Sequence, residues 1–287
     1  MHKRAGQTGA EQVHWRLEDL YSGPADPRLE EDMAWAEEAA MAFAETYREA
    51  LPSLGAAQLA EALTRLQEIR QRLARVGSYR YLSYVTHADE ASYGAALQAY
   101  EERATQIGNA LIFFDIAWAR LDEARAHELM AATELASWRH LLHHWRAYGE
   151  HLLSEPEERV LAEKRVTGAG LWARLFDETL TEMRFSLRGK SLSEQEILSK
   201  LSDPDRALRH DAAEALSRGL EGRLHTLTTC FNAILADKAL DDRLRRYPHW
   251  LAERNLANEI DDATVASLET AVVARYPLVA RYYRLKA

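Results

Sequence analysis

Apolar residues recur at three- and four-residue intervals along most of this 287-residue chain. Only seven prolines and thirteen glycines interrupt that pattern, so long stretches remain unbroken. Spacing of this kind places apolar side chains on one face of an α-helix, whereas a half-buried strand would alternate them. The sequence therefore predicts an all-α fold, a multi-helix lobe of long antiparallel helices with at most one small β-hairpin.

Helix-starting and helix-breaking residues predict where the helices begin and end. Asp26 and Pro27 mark the start of a first helix, because an aspartate can cap it and proline is tolerated at its first position. That helix runs to about residue 50, and a break at 52–55 separates it from a second helix. The further predicted helices cover about 56 onward, 90–121, 124–132, 135–150, 154–166, 170–180, a stretch from 193, about seventeen residues from 204, 220–241, and 263 onward.

Two segments depart from this plain helical pattern. Residues 183–187 alternate apolar and polar side chains before Arg188, Gly189 and Lys190, which predicts one small hairpin. The last helical stretch contains Pro277, where we expect a kink or a restart. That stretch stays amphipathic to its last residues without a stop signal, which favours a chain cut short, although a terminal helix that frays into water is the alternative.

Composition excludes several classes of function. The chain has 36 Lys and Arg against 45 Asp and Glu, a net charge of −9, which is the wrong sign for nucleic-acid binding. A single cysteine, Cys230, excludes an intrachain disulfide and fits a reducing compartment. No apolar run approaches the roughly 20 residues of a membrane span, and residues 1–10 are predicted to be a disordered tail rather than a secretory signal. The cytoplasm is the expected location.

A series of short motifs follows one another along nearly the whole chain. They are Trp15 to Tyr21, Asp26-Pro27, Phe113-Phe114, His151 to Ser154 with Glu157-Glu158, Thr167-Gly168 before Trp172, Leu201 to Asp203 with Arg206 and Arg209, Asn232 with Asp237-Lys238, Arg254 to Asn258, and Arg281 to Lys286. Their order and spacing resemble the N-terminal region of the oligoendopeptidase F-type zinc metallopeptidases, relatives of the thimet oligopeptidases.

The resemblance implies a mostly helical enzyme that closes around a deep channel and cleaves short peptides. Zinc in the intact family is held by a His-Glu-Xaa-Xaa-His helix and a later glutamate, with the first glutamate acting as general base. In this sequence the His127-Glu128 pair is followed by Ala131 where the second histidine would stand. We therefore predict no catalytic, cofactor-binding or metal-binding residue in this chain.

The resemblance also implies a division of the chain. Residues 11–182 would form the N-terminal helical lobe, and 183–287 the hairpin and first helices of a truncated peptidase-like domain. The predicted function is that of a non-catalytic portion that forms one wall of the substrate channel and is inactive alone. A helical peptide-binding or scaffold protein that pairs with a separate catalytic chain is the alternative. The expected partners are oligopeptides or the missing catalytic half, and uncovered apolar helix faces predict self-association.

Several residues could carry chemistry of their own. His140 and His144 have the i, i+4 spacing of a metal pair, but no acidic residue lies in the turn between them, so His140, His143 and His144 are interpreted as structural or solvated. A small metalloenzyme built on the histidines of 140–151 remains a distant third hypothesis. His151 is assigned to the start of a helix.

Other candidates have a structural interpretation beside the functional one. His210 and Glu214 are interpreted as a surface pair, and Cys230 as a buried thiol. The turn from Thr167 to Gly170 is interpreted as a connection between helices rather than an anion site. Three basic residues are interpreted as capping a helix that ends near Asp241, with contact to a peptide or partner as the alternative. They are Arg243, Arg245 and Arg246. The tyrosines Tyr79, Tyr81, Tyr84, Tyr93 and Tyr100 are interpreted mainly as packing, with a peptide channel as the alternative.

Overall fold

The computed structural model describes residues 16–286, and within them the chain is all-α apart from one short hairpin. The predicted fold class is therefore confirmed, while Trp15 and the predicted tail at 1–10 lie outside the described residues. The helices are α1 Arg28–Tyr47, α2 Ala56–Thr86, α3 Ala91–Ala119, α4 Glu123–Ala131, α5 Arg139–Ala147, α6 Glu155–Thr167, α7 Ala169–Glu182, α8 Glu194–Lys200, α9 Arg206–Glu221, α10 Leu224–Leu244, α11 Ala252–Ala257 and α12 Asp262–Lys286, and the strands are β1 Phe185–Leu187 and β2 Lys190–Leu192.

The larger hydrophobic core lies among α1 to α5. The predicted apolar stripe of α1 faces this core, where Ala36 and Ala40 allow α2 and α3 to pack closely and Phe43 contacts the Phe113-Phe114 pair of α3. Trp118 is fully buried, and its indole N–H donates to the carbonyl of Leu142 at 2.9 Å. This hydrogen bond joins α3 to α5, so α5 is held to the three long helices.

A second, smaller core surrounds the hairpin. Strands β1 and β2 pair antiparallel with Phe185 opposite Leu192, and Phe185 packs against α8 and α9. The connecting residues Arg188 and Gly189 have φ values of 50° and 80°, as a two-residue hairpin turn requires. The predicted hairpin is confirmed. Between the two cores α6 packs on α3, α7 on α6, and α10 on α7.

The structure differs from the predicted elements near the end of the chain. Helix α11 was not predicted, because its six residues are too few to show a period. Of the expected kink or restart at Pro277, the restart is wrong, since α12 is helical through it. Val273, four residues earlier, is half-exposed, so water can bond to the carbonyl that proline leaves without a donor.

Helices α10 and α12 carry apolar side chains that face solvent. Within residues 16–286, no helix combines the length and the apolar composition that crossing a bilayer demands. The exposed apolar residues are Leu224, Phe231, Leu235, Leu240 and Leu244 on α10, and Leu268, Val272, Val273, Tyr276, Leu278, Val279, Tyr282, Tyr283 and Leu285 on α12.

The contact between α2 and α3 depends on the absence of a side chain at Gly77. A Cβ there would overlap the ring and hydroxyl of Tyr100, which donates to the carbonyl of Leu73 at 2.9 Å. We expect Gly77→Ala to lower the free energy of unfolding by about 1–3 kcal/mol in urea denaturation, because the ring must move. Gly108→Ala on α3 is the matched control, since its Cβ meets open space and should stabilise by up to about 1 kcal/mol. Equal effects of the two changes would contradict this account.

Candidate peptide-contacting cleft and lobe junction

The two histidines with metal-pair spacing meet an acidic residue from a distant part of the chain. His140 Nε2 lies 3.0 Å and His144 Nδ1 lies 3.2 Å from the same Oε1 of Glu259, which follows α11. Those distances are hydrogen-bond distances, and His143 is exposed beside them. Between residues 16 and 286, no group of three His, Cys, Asp or Glu side chains has the arrangement of a metal site. The contact with Glu259 could not be predicted from the sequence, because Glu259 lies 119 residues from His140.

His151 forms part of a contact between residues 150–158 and residues 245–247, which we call the lobe junction. Its Nδ1 lies 2.9 Å from the carbonyl oxygen of Arg245, and its ring stacks on Tyr247 with centroids 4.0 Å apart. Burial raises the pKa of Tyr247 to about 12, so this ring stays neutral. The assignment of His151 to a helix start is wrong, because Ser154 and Glu157 form the capping box of α6 instead.

The strongest polar contact between the same two parts is a buried ion pair. Glu158 on α6 is 7% exposed and accepts from both terminal nitrogens of Arg245, at 2.6 and 2.8 Å. The backbone N–H of Leu153 also donates to Glu158, at 2.9 Å. Burial alone would raise the pKa of Glu158, but these hydrogen bonds outweigh it and hold that pKa below its ordinary value. Glu158 is therefore an ionised carboxylate with a donor on each oxygen.

The basic residues after α10 cap that helix and also make contacts that were not predicted. Arg245 caps α10 as interpreted, although the helix ends at Leu244 and not near Asp241. Its side chain reaches across to Glu158 as well as back to Asp241. Arg246 has a φ of 62° and donates to the carbonyl of Glu150 at 2.7 Å. The capping interpretation therefore holds for Arg245, and the side chains of Arg245 and Arg246 also serve the lobe junction.

The remaining candidate residues have the structural positions that were predicted for them. His210 and Glu214 are exposed on α9 with their nearest charged atoms 3.8 Å apart, and Cys230 is a buried free thiol. Gly168 lies between α6 and α7 and serves as their connection. None of these groups is brought to the lobe junction or to the cleft described next.

The aromatic residues divide into packed side chains and one open cleft. Tyr79 and Tyr84 are buried, as predicted for packing, whereas Tyr81 is 54% exposed. Tyr93 stacks on His87 with centroids 4.4 Å apart and ring planes 10° apart. This stacked pair forms one wall of a cleft, and this cleft is the candidate for the peptide channel.

The cleft has a volume of about 530 Å³ and combines rings with hydroxyl groups. Its position is set by the loop before α1, where Asp26 accepts from the side chain of Arg28 and from the backbone N–H and hydroxyl of Ser22. These bonds hold the pKa of Asp26 well below its usual range. Its main lining residues are Tyr21, Tyr79, Ser83, His87 and Tyr93. A concave surface that is mostly apolar with a few polar groups suits a peptide side chain.

The same fold occurs in two solved structures. Oligoendopeptidase F from Enterococcus faecium superposes with a TM-score of 0.77 and 19% identity, over 90% of this chain and 52% of that one. Residues 118–185 match the family model described as Oligopeptidase F. The resemblance to the N-terminal region of oligoendopeptidase F is confirmed. A protein from Chlamydophila abortus assigned as a peptidase superposes with a TM-score of 0.57 and 18% identity, over 94% of this chain and 46% of that one.

The chain spans about half the length of each of these two solved structures. No curated protein matches it. The segment that matches the Oligopeptidase F model covers α4 to α7, and it contains His151 and Glu158 of the lobe junction. Arg245, which completes the ion pair, lies outside that segment, so the junction joins the matched segment to the part of the chain that follows it.

Because the ion pair is buried, we expect the removal of one partner to lower the free energy of unfolding strongly. Arg245→Ala leaves Glu158 buried without a counter-charge, and we expect the free energy of unfolding at pH 7 to fall by about 3 kcal/mol in urea denaturation. Arg218→Ala is the control, because its pair with Glu214 is exposed and should contribute less than about 1 kcal/mol.

The pH dependence of the same variant is a further check. The folded-state pKa of Glu158 is lowered, so the pair stabilises fully above the ordinary value of 4.5 and loses its effect as the pH falls through the lowered pKa. The difference between wild type and Arg245→Ala should therefore shrink in acid. A difference that is constant with pH would contradict the ionised pair.

Proposed function

We propose that this chain is the non-catalytic N-terminal portion of an oligoendopeptidase F-like zinc metallopeptidase, a cytoplasmic hydrolase of short peptides, and that it forms one wall of the substrate channel. The observation that carries the proposal is the fold shared with oligoendopeptidase F over nine-tenths of this chain. The family match at residues 118–185 supports it independently of the fold.

We further propose that the chain alone hydrolyses nothing. Metal-assisted peptide hydrolysis requires a zinc ion with protein ligands and a general base beside the bound water. The His127-Glu128 pair lacks the second histidine, since Ala131 occupies that position. His127 is instead an exposed side chain near Glu123 on α4, at 3.3 Å. Zinc would therefore be bound by the catalytic part of the enzyme and not by this chain.

The cleft beside α2 and α3 is the proposed contact with the peptide. Tyr93 and His87 present a stacked aromatic surface, and Ser83 adds a hydroxyl within the same cleft. Aromatic rings contribute contact area at a small entropic cost, and hydroxyl groups orient a polar backbone. A wall of this kind would hold an extended peptide without selecting one side chain strongly.

A second candidate function is a helical binding protein that pairs with a separately encoded catalytic chain. The observation that favours it is the apolar face of α10, where Phe231 is 62% and Leu235 is 52% exposed. Exposed apolar patches of this kind mark surfaces that contact another polypeptide. Sequencing the coding DNA beyond Ala287 separates the two functions: an in-frame His-Glu-Xaa-Xaa-His segment supports the first, and a natural stop the second.

Metal content and peptide cleavage test the inactivity directly. We expect the purified chain to hold far less than one equivalent of zinc and to release no fluorescence from a quenched oligopeptide when zinc is added. Intact oligoendopeptidase F is the positive control for the assay. Stoichiometric zinc with chelator-sensitive cleavage would contradict the proposal. If that zinc were then lost from a variant carrying His140→Ala and His144→Ala, the metalloenzyme hypothesis would replace it.

Peptide binding tests the cleft separately from catalysis. We expect Tyr93→Ala to weaken the binding of a fluorescein-labelled oligopeptide about tenfold, since the stacked ring supplies about 1.5 kcal/mol of contact. The measurement is fluorescence anisotropy. Tyr81→Ala is the matched control, because that ring is exposed on α2 outside the cleft. Equal weakening by both variants, or unchanged binding to Tyr93→Ala, would remove the cleft from the channel wall.

A further inference from the structure

The cleft beside α2 and α3 contains a buried hydroxyl group that is left for a ligand. Ser83 lines the cleft and is 5% exposed. Its contacts with the side chains of Thr86 and His87 use the backbone carbonyl, and among residues 16–286 its hydroxyl makes no hydrogen bond. A hydroxyl oxygen has two lone pairs, so Ser83 can accept from a donor that enters the cleft.

His87 offers a second acceptor in the same cleft. Its Nδ1 lies 3.0 Å from the carbonyl oxygen of Ser83, and because a carbonyl can only accept, this nitrogen carries the proton. In the neutral ring Nε2 then has a lone pair and no proton. The ring lines the cleft and stacks on Tyr93. Nε2 is therefore the nitrogen that can accept from a ligand.

The charge around the cleft is negative. Glu18 is exposed and lines the cleft, whereas no lysine or arginine of residues 16–286 lines it. Helix α2 has 31 residues and ends at Thr86 in the cleft wall, so the negative end of its dipole lies there. Asp89 and Glu90 follow in the exposed loop to α3. This arrangement favours a positively charged ligand.

The aromatic rings beside the cleft already attract cations. The guanidinium carbons of Arg28 and Arg75 lie 5.5 and 5.3 Å from the centroid of the Tyr21 ring. An aromatic face attracts a cation through its quadrupole. Arg28 also pairs with Asp26 at 2.7 Å, and neither arginine lines the cleft. Because Tyr21 is occupied in this way, the ring surface left for a ligand is the stacked pair that contains Tyr93.

We infer that the cleft binds a cationic group of the peptide that carries several N–H donors, an ammonium or a guanidinium. The acceptors of Glu18, Ser83 and His87 match such donors, and the ring surface matches the charge. The preference is for a class of charge and not for one side chain, since lysine, arginine and a free amino terminus all carry it. The inference rests on the proposed function, because it requires that the cleft contacts the peptide.

Fluorescence anisotropy with matched peptides tests the preference. Each peptide is an N-acetylated oligomer of alanine and glycine with fluorescein at its C-terminus, and only one central residue differs: lysine, glutamine or glutamate. We expect the purified chain to bind the lysine peptide about tenfold more tightly than the glutamine peptide, and the glutamate peptide most weakly.

A glutamine peptide with a free amino terminus separates the two sources of the charge. Binding as tight as that of the lysine peptide would assign the terminal ammonium to the cleft as well. Binding no tighter than that of its acetylated form would restrict the cleft to basic side chains.

Two variants test the acceptors. Glu18→Gln should weaken binding of the lysine peptide about fivefold and leave the glutamine peptide unchanged. Glu31→Gln is the matched control, because it removes an exposed carboxylate of α1 outside the cleft. His87→Phe keeps a ring beside Tyr93 but lacks Nε2, so it should weaken the lysine peptide about threefold. Circular dichroism should show the same helix content in each variant.

The outcomes separate this inference from the proposed function. Equal binding of the lysine, glutamine and glutamate peptides would overturn the inference and leave the peptide contact standing, whereas binding of none of them would remove both. A lysine preference that survives both Glu18→Gln and His87→Phe would also overturn the inference, since the cation would then bind elsewhere on the chain.

Discussion

The buried pair between Glu158 and Arg245 is the contact on which the placement of the C-terminal helices depends. Glu158 lies near the start of α6 and Arg245 directly after α10, so one bidentate contact connects two parts of the chain 87 residues apart. Each charge is desolvated, and each is tolerable only while the other is present. The stacked rings of His151 and Tyr247 shield the same junction. Helices α11 and α12 follow directly, and their direction is set from this point.

The two hydrophobic cores explain why such a junction is needed. The core of α1 to α5 and the core of the hairpin with α8 and α9 share no residues, and α6, α7 and α10 lie between them. Helix contacts in that middle region leave α10 and α12 with apolar faces in solvent. These exposed apolar faces, and the coverage of 52% of oligoendopeptidase F, are the reasons for proposing that the chain is one part of a larger enzyme.

Much of the secondary structure could be predicted because its causes are local. Apolar periodicity located the long helices, and the Arg188-Gly189 turn located the hairpin. The site could not be predicted in the same way. His140 and His144 showed their spacing, but Glu259, which contacts both, lies in another part of the chain. Arg245 was recognised as a helix-end cation, yet its partner is distant. Such contacts depend on packing, which no local pattern encodes.

The sequence by itself determined the helical class, the hairpin and the absence of the zinc-binding motif, because each depends on neighbouring residues or on composition. The tertiary structure alone decided which polar groups meet, which rings line the cleft and which apolar faces remain exposed. The reason is physical: periodicity defines the apolar face of a helix, while the partner of that face depends on how distant helices pack around a common core.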